Sequence, residues 1–566
     1  MRTLDRRELI RGIAGAAVGA SIPCASLRAS ESRDGRSRRL LYNCDGSMIH
    51  CFGRAALGLA NDYLNVEQFK SLVFSPIDVH AVDAMFFSFG CGNVAEYQSD
   101  VLEWPGEADR FQFPESRNWH GGMEVDAADQ YRNPKALADA GHNPPDVIVE
   151  ECHRRGIDAF VSFRMNDCHD GQHAKGKLPN PELATFKRQN PDWLVEDLDW
   201  WSALDYSHPR VRALKLRIIE EFFDRWDFDG IELDWLRHTL YFPRGTEREK
   251  GHHLTDLMRQ IRRTLQAKAQ WRGRPIEIAV RVPEKLAWCD EGGFDVAGWV
   301  REGLVDLLIV GQSVTELPTI GEFHELDEGR TVPVYGCLTP LGNGYAVSPD
   351  EVIRGSAARL WADGADGLCA FNWSFFGPWR RDLLGQIADP LTLRRTAQRL
   401  TFSHKVEVPS GEPGADYIRY NIQGRDAPLP VQLKAGATTT LVFGMGKVPE
   451  VPEERHSRGE LFIGADFIGN RDVLRFELNG QPLEVPTHGG EIVQVQLGGS
   501  LDIPDGSGIL GMAPRESVEL GFRGIRLAVP TDALRSRRNE LRVTLVERTD
   551  GVEHDLRLNR VEMDLA

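Results

Sequence analysis

The stretch Phe228-Asp229-Gly230-Ile231-Glu232-Leu233-Asp234-Trp235-Leu236-Arg237-His238 reads as a short buried strand, entered through Asp229-Gly230 and left through polar residues. Side chains alternate along a strand, so Glu232 and Asp234 share one face, ~6.6 Å apart along the chain, while Ile231, Leu233 and Trp235 share the other. Burying a carboxylate is costly unless it is paired or hydrogen-bonded. Two on one face are therefore expected to line a wet, functional cavity. The alternative is a pair held by neighbouring arginines for structure alone.

Seven further runs have the same design, apolar and closing on polar residues or glycine: 40–45, 84–90, 157–166, 276–282, 305–311, 332–338 and 367–373. Continuous apolar runs of this length are expected of strands buried on both faces of a parallel sheet. Between them lie helical patterns at 65–74, 145–156, 208–226, 247–269, 294–302, 317–328, 349–363 and 378–400, with Ser207 as the expected N-cap ahead of Pro209. Strands alternating with helices predict an α/β fold, a (β/α)8 TIM barrel over residues 36–400.

Barrel chemistry sits at the carboxyl ends of the strands. The third strand then offers Arg164, Asn166, Asp167 and His169, and the fourth offers Glu232, Asp234, Arg237 and His238. The fifth offers Arg281 and Glu284, the sixth Gln312 and Glu316, and the eighth Asn372 and Trp373. Two connections, 91–143 and 167–207, are long enough to be functional loops. They carry Trp104, Phe111, Phe113, Trp119, His120, Trp193, Trp200 and Trp201. Such rings either stack on the apolar faces of sugars or simply pack the loops down.

From Thr401 helical periodicity gives way to short alternating runs at 417–422, 439–443, 474–478 and 540–546, with turn signals at Asn479-Gly480 and Asp505-Gly506. Residues 401–566 are expected to form an all-β sandwich, and the pattern loosely resembles the jelly-roll accessory domains of carbohydrate-active enzymes. The formal net charge of −17 over 566 residues argues against nucleic acid or an anionic membrane as partner. No uncharged apolar run is long enough to span a bilayer.

Residues 1–30 stand apart. Arg6-Arg7 followed by the weakly apolar segment 12–25 resembles a twin-arginine export signal, which implies a bacterial protein exported in the folded state to the periplasm or beyond; a plain basic tail is the alternative. The remaining cysteines form no Cys-x-x-Cys pair, so zinc-ribbon and thioredoxin readings fail.

Leu204-Asp205-Tyr206-Ser207-His208-Pro209-Arg210-Val211-Arg212, a helix, and then Asp229-Gly230-Ile231-Glu232-Leu233-Asp234 resemble the "LDxxHPxVR … DGIxxD" core of glycosyl-hydrolase-like family 10 barrels. The resemblance covers roughly residues 150–245 and implies a glycoside hydrolase with Asp234 on the family's aspartate. Glu232 departs from the usual residue there. The strand is also similar to the chitinase family's "DGxDxDxE", but Leu236 stands where that family has its catalytic glutamate, so chitinase chemistry is rejected.

Glycoside hydrolysis needs two carboxyl groups. Asp234 is the expected nucleophile or base, Glu284 the expected acid, and Glu232 either orients Asp234, holds a sugar hydroxyl or is itself the catalytic partner. The remaining strand-end residues other than Glu316 are expected to bind a carbohydrate substrate without a cofactor. A metal-dependent hydrolase using Asp167, His169 and His173 and a non-catalytic carbohydrate-binding barrel remain alternatives. Arg164, Arg237 and Arg281 suggest an anionic sugar, unless they serve only to keep Glu232 and Asp234 ionised.

Overall fold

The computed structural model describes residues 38–46, 64–77, 81–90, 92–104, 117–120, 123–171, 183–195, 201–311, 316, 318–327, 329, 331–340, 348–373, 380–405, 426–445, 459–469, 471–485, 523–535 and 537–565. The export-signal segment, His173, Gln312, Phe111, Phe113 and Trp200 lie outside these residues, as do the run 417–422 and Asp505-Gly506.

Parallel strands β1 (Leu40–Cys44) and β2 (Ala84–Phe87) are followed by a hairpin of β3 (Arg117–His120) and β4 (Met123–Asp126) inside the first long connection. The chain continues through β5 (Asp158–Arg164), β6 (Gly230–Asp234), β7 (Glu277–Val282), β8 (Leu307–Val310), β9 (Val334–Leu338) and β10 (Gly367–Phe371). Strands β1, β2 and β5 to β10 close a barrel, with β10 paired back onto β1. Each expected barrel strand is one of these eight.

The alternation read from the sequence separates two cores. Ile231, Leu233 and Trp235 join the layer between barrel and helices, where the Trp235 ring lies 5.6 Å from Trp299 and 5.3 Å from Tyr241. Leu41, Phe86, Phe160, Ile309 and Cys369 fill the lumen. Glu232 stands in register with Ser162 and Ala279, and Asp234 with Arg164 and Arg281, so the inward face of β6 carries polar residues at two successive levels.

The amino-terminal end of the lumen is closed by charge. Arg38 bonds Asp158 at 2.8 Å and Glu277 at 2.6 Å and lies over the Phe160 ring. Below β6, Asp229 accepts from Ala159 N and Arg274 Nη1, both at 2.8 Å, and meets His153 Nε2 at 2.8 Å.

Several helices differ from expectation. His208, not Ser207, is the N-cap of Pro209–Arg225; Ser207 instead donates its hydroxyl to Asp205 at 2.6 Å, and Arg212 staples the turn by donating to the carbonyls of Tyr206 and Ser207. The helix expected over 247–269 breaks at Gly251, where a Cβ would come within 2.5 Å of the Gly293 carbonyl. The pattern at 378–400 contains helices Arg381–Ala388 and Pro390–Leu393, because Pro390 removes an amide donor and Asp389 caps a new start. Its last residues become strand β11 (Gln398–Thr401), paired with β19 (Leu556–Leu565), so this strand straddles the expected boundary at 400.

An all-β domain follows the barrel. Its strands are β12 (Val431–Leu433), β13 (Thr438–Phe443), β14 (Gly459–Asp466), β15 (Val473–Leu478), β16 (Gln481–Pro482), β17 (Arg523–Val529), β18 (Asn539–Glu547) and β19. One sheet runs β11-β19-β14-β17 with β12 on β19, and the other runs β13-β18-β15-β16. Ile463 and Val561 of the first sheet share a core with Phe476 and Val543 of the second. Asn479-Gly480 makes the β15–β16 turn with both residues at positive φ. The domain docks on the barrel: Glu316 accepts from Ser403 N, its carbonyl accepts from Gly444 N at 2.7 Å, and Lys285 pairs with Asp426 at 2.9 Å.

Gly230 supplies a test of this packing. A Cβ there would lie 2.3 Å from Phe160 Cε1 and 2.6 Å from the Glu277 carbonyl. Gly230→Ala is expected to destabilise the protein by about 1–3 kcal/mol through overpacking, read as a lowered midpoint in denaturant unfolding; an unchanged midpoint would contradict the packing described.

Candidate functional site

The carboxyl-terminal end of the lumen gathers ionisable groups from β1, β5, β6 and β7. Arg281 and Asp234 are adjacent in register, and Arg281 Nη2 donates to Asp234 Oδ2 at 2.6 Å. Asp234 Oδ1 accepts from the amides of Leu236 and Arg237, at 3.0 and 3.1 Å, as the chain turns off the strand. Asp234 Oδ2 therefore keeps acceptor capacity beyond its bond to Arg281.

Glu232 lies one level deeper and is fully buried. Its Oε2 accepts from Asn43 Nδ2 at 2.8 Å, and its Oε1 has no hydrogen-bond partner although Arg281 Nε stands 3.9 Å away. Burial first, and then the Asp234 charge, push the Glu232 carboxyl well above the usual glutamate range. The guanidinium of Arg281 is sandwiched against the Phe371 ring, its Cζ 4.0 Å from the centroid, while its Nε and Nη1 make no hydrogen bond.

A second network stands beside the first. Arg164 donates to Asp45 at 2.6 Å and to Asp167 at 2.9 Å. Asp167 Oδ1 accepts from the His169 amide at 2.9 Å and meets His169 Nδ1 at 2.7 Å. The carboxylate requires a proton on Nδ1, which leaves Nε2 to accept from Arg237 Nη2 at 2.9 Å. Burial, and then Arg237, lower the His169 pKa in opposition to Asp167. His238 sits edge-on to His169, 4.8 Å between centroids, and accepts from the Cys168 amide; burial holds its pKa well below normal. Asp167 is held well below the usual carboxylate range, its burial outweighed by His169, Arg164 and His238.

Not every strand-end residue faces a free space. Asn166 uses its amide to bond the backbones of Leu204 and Leu240, so it organises loops rather than being left for substrate. Asp167 is likewise enclosed, its carboxylate spent on Arg164 and His169. Glu284 is nearly buried and its carboxyl is raised well above normal by burial and then by Glu316, with Lys285 opposing and Asp426 adding to the rise. Those neighbours face the all-β domain, and no hydrogen bond joins Glu284 to Asp234. Glu316 is committed to the domain junction.

Asn372 adopts φ +53° just past β10, with its Oδ1 unpartnered, and Trp373 is fully buried with Nε1 unpartnered. Among the loop aromatics, Trp104 belongs to the core, and Trp193 and Trp201 pack against it. Asn43, Asp45 and Ser162 complete the constellation and were absent from the sequence-derived set. Asn43-Cys44-Asp45 closes the first strand, so the strand-end rule could have found two of them.

Among the described residues Asp167, His169 and His238 present ligand atoms within 4.8 Å of one another, while His173 of the expected trio lies outside them. All three are already engaged, and the guanidinium groups of Arg164 and Arg237 flank them. A dication would have to displace those bonds against two neighbouring positive charges. Surface hollows of about 500 Å³ beside His252 and about 360 Å³ beside Gly321 are lined largely by the outer helices.

No family model matches the sequence, and no curated protein matches it. Solved structures similar in fold include α-L-fucosidase isoenzyme 2 from Paenibacillus thiaminolyticus, at 14% identity over 66% of this chain and 52% of that one, with TM-score 0.39. The PgaB (BpsB) glycoside hydrolase domain from Bordetella bronchiseptica is 11% identical over 62% of this chain and 98% of that one, TM-score 0.36. The catalytic domain of psychrophilic chitinase B from Arthrobacter TAD20 is 11% identical over 63% and 95%, TM-score 0.36. This chain spans about half the length of the fucosidase. At these identities and scores none of them assigns a residue or a substrate to it.

The Asp167 network has a pH signature. A carboxylate with a lowered folded pKa contributes stability that is present above its unfolded pKa and is lost as pH falls through the folded value. Asp167→Asn is expected to cost about 3–5 kcal/mol, because Arg164 and His169 lose a buried charged partner. The gap from wild type should stay constant above about pH 4 and narrow below it. Denaturant unfolding of both proteins at about pH 7, 5 and 3 measures this, and a gap that is constant down to the lowest pH would contradict it.

Proposed function

We propose that the protein is a glycoside hydrolase whose reaction takes place at the carboxyl ends of β6 and β7. The observation that carries this reading is the buried trio Glu232–Arg281–Asp234, in which one guanidinium lies between two carboxyl groups in different surroundings. Asp234 accepts from a cation and two amides, whereas Glu232 is pushed toward its protonated form. A carboxyl pushed toward its acid form beside a second one held by a cation and two amides suits glycosidic cleavage, which needs both a proton donor and a negative charge.

In this reading Asp234 supplies the charge facing the oxocarbenium-like carbon, through Oδ2. A carboxyl donates its proton to the departing glycosidic oxygen, and water completes the cleavage. Glu232 shares the trio and is assigned first as donor. Glu284 is the second candidate, because it too is pushed upward and retains 9% exposure at the end of the adjoining strand. Arg281 orients Asp234, and Asn43 orients Glu232. The segment around Arg6-Arg7 supports export as part of the same proposal.

The test is turnover of Asp234→Asn, Glu232→Gln and Glu284→Gln on one natural and one activated aryl glycoside, with melting temperatures to establish folding. Asp234→Asn should lose turnover by orders of magnitude on both substrates, for want of charge at the transition state. The variant of the true proton donor should fail mainly on the natural substrate, since an activated leaving group needs little protonation. Wild-type turnover should fall as pH rises through the raised pKa of the donor, above the ordinary glutamate value of ~4.3. Near wild-type turnover by Asp234→Asn would sink the assignment.

A further inference from the structure

Of the three arginines at the mouth, two are neutralised by the protein. Arg164 pairs with Asp45 and Asp167, and Arg281 pairs with Asp234. Arg38, at the opposite end of the lumen, is also paired, with Asp158 and Glu277. Arg237 is different. It is 3% exposed, its side chain bonds His169 Nε2, and its Nε and Nη1 have no hydrogen-bond partner; no carboxylate pairs with it among the described residues.

A buried guanidinium whose partner is a neutral imidazole is an unfavourable arrangement unless a further anion completes it. The surrounding structure holds it in place. Asp167 fixes the Nδ1–H tautomer of His169, and the Nε2 lone pair that results anchors one arm of Arg237. His169, with 17% of its side chain exposed, is the more open member of this chain. The relay orients Arg237 without neutralising it, since the Asp167 charge is already shared with Arg164.

We propose that Arg237 is a specificity-determining residue that recognises an anionic group on the saccharide, a carboxylate or a sulfate ester, through its unpartnered N–H groups. This rests on the glycosidase reading and deepens it, by naming the substrate class that the mouth takes. Guanidinium suits both anions, because it offers several donors in one plane and stays charged at any working pH. The uncompensated charge of Arg237, which opposes a metal at Asp167, His169 and His238, favours an anion.

The experiment is calorimetric binding by the full chain, which does not require turnover. Probes are an oligogalacturonate, a sulfated galactan oligosaccharide, their carboxyl-reduced and desulfated counterparts, and inorganic sulfate. One anionic glycan should bind roughly tenfold or more tighter than its neutral counterpart and than inorganic sulfate, which also decides between carboxylate and sulfate. Arg237→Gln should bring that ratio close to one. Arg237→Lys, which keeps the charge, should retain part of it, and the melting temperatures of both variants show whether they fold.

Equal binding of anionic and neutral glycans, binding of inorganic sulfate as tight as the glycan, no binding by any probe, or a ratio that survives in folded Arg237→Gln would each overturn the inference. Binding with the predicted ratio but without cleavage would uphold it and remove the hydrolase reading. Cleavage of neutral glycans without charge preference would do the reverse.

Discussion

The bond between Arg281 and Asp234, 2.6 Å long and almost wholly removed from water, is the contact on which the barrel mouth depends. Two ions taken out of water lose several kcal/mol each, and an ion pair recovers this only with good geometry and further hydrogen bonds. Here the Leu236 and Arg237 amides complete the Asp234 carboxylate, and the Phe371 ring backs the guanidinium. The compensation stops short of Glu232. With Arg281 drawn to Asp234, Glu232 keeps one oxygen without a partner and is driven toward the neutral acid.

The two ends of the lumen show what this incompleteness means. At the closed end Arg38 bonds Asp158 and Glu277 together and leaves one donor, Nη1, without a partner, and Phe160 fills the space left by the missing side chain of Gly230. At the open end the chain carries more ionisable groups than it needs to neutralise one another. Donors of Arg237 and Arg281 and acceptors of Glu232 and Asn372 remain without partners. A structural ion cluster resembles the first arrangement; a site that waits for a polar ligand resembles the second. This difference bears on the alternative in which the Glu232–Asp234 pair is held by arginines for structure alone.

The all-β domain bears on the mouth through the end of β7. Lys285 pairs with Asp426, and Glu316 joins the domain junction, so the surroundings of Glu284 are set partly from outside the barrel. Strand β11 grows out of what reads as the barrel's last helix and completes a sheet of the second domain. Through it the two units share a continuous segment of chain.

The barrel was legible because its signals are local: strand periodicity put Glu232 and Asp234 on one face and Ile231, Leu233 and Trp235 on the other, and strand ends pointed to Arg164, Arg237 and Arg281. Strand β11 and the break at Gly251 were not, since each is decided by a distant segment, Leu556–Leu565 in one case and Gly293 in the other. Nor could residue types say which arginine is neutralised by which acid. That depends on register and loop return, which bring Asp45 to Arg164 across 119 residues and His169 to Arg237 across 68. The amino-acid sequence by itself determined the strands, their inward residues and the ionisable groups that close them at the carboxyl end of the barrel, because alternation and turn chemistry act over a few residues. Only the tertiary structure decided that Asn166 is spent on loops, that Glu232 is the deeper carboxyl and is pushed toward its acid form, and that Arg237 lacks a counter-ion among the described residues, because pairing and desolvation are properties of distance in space.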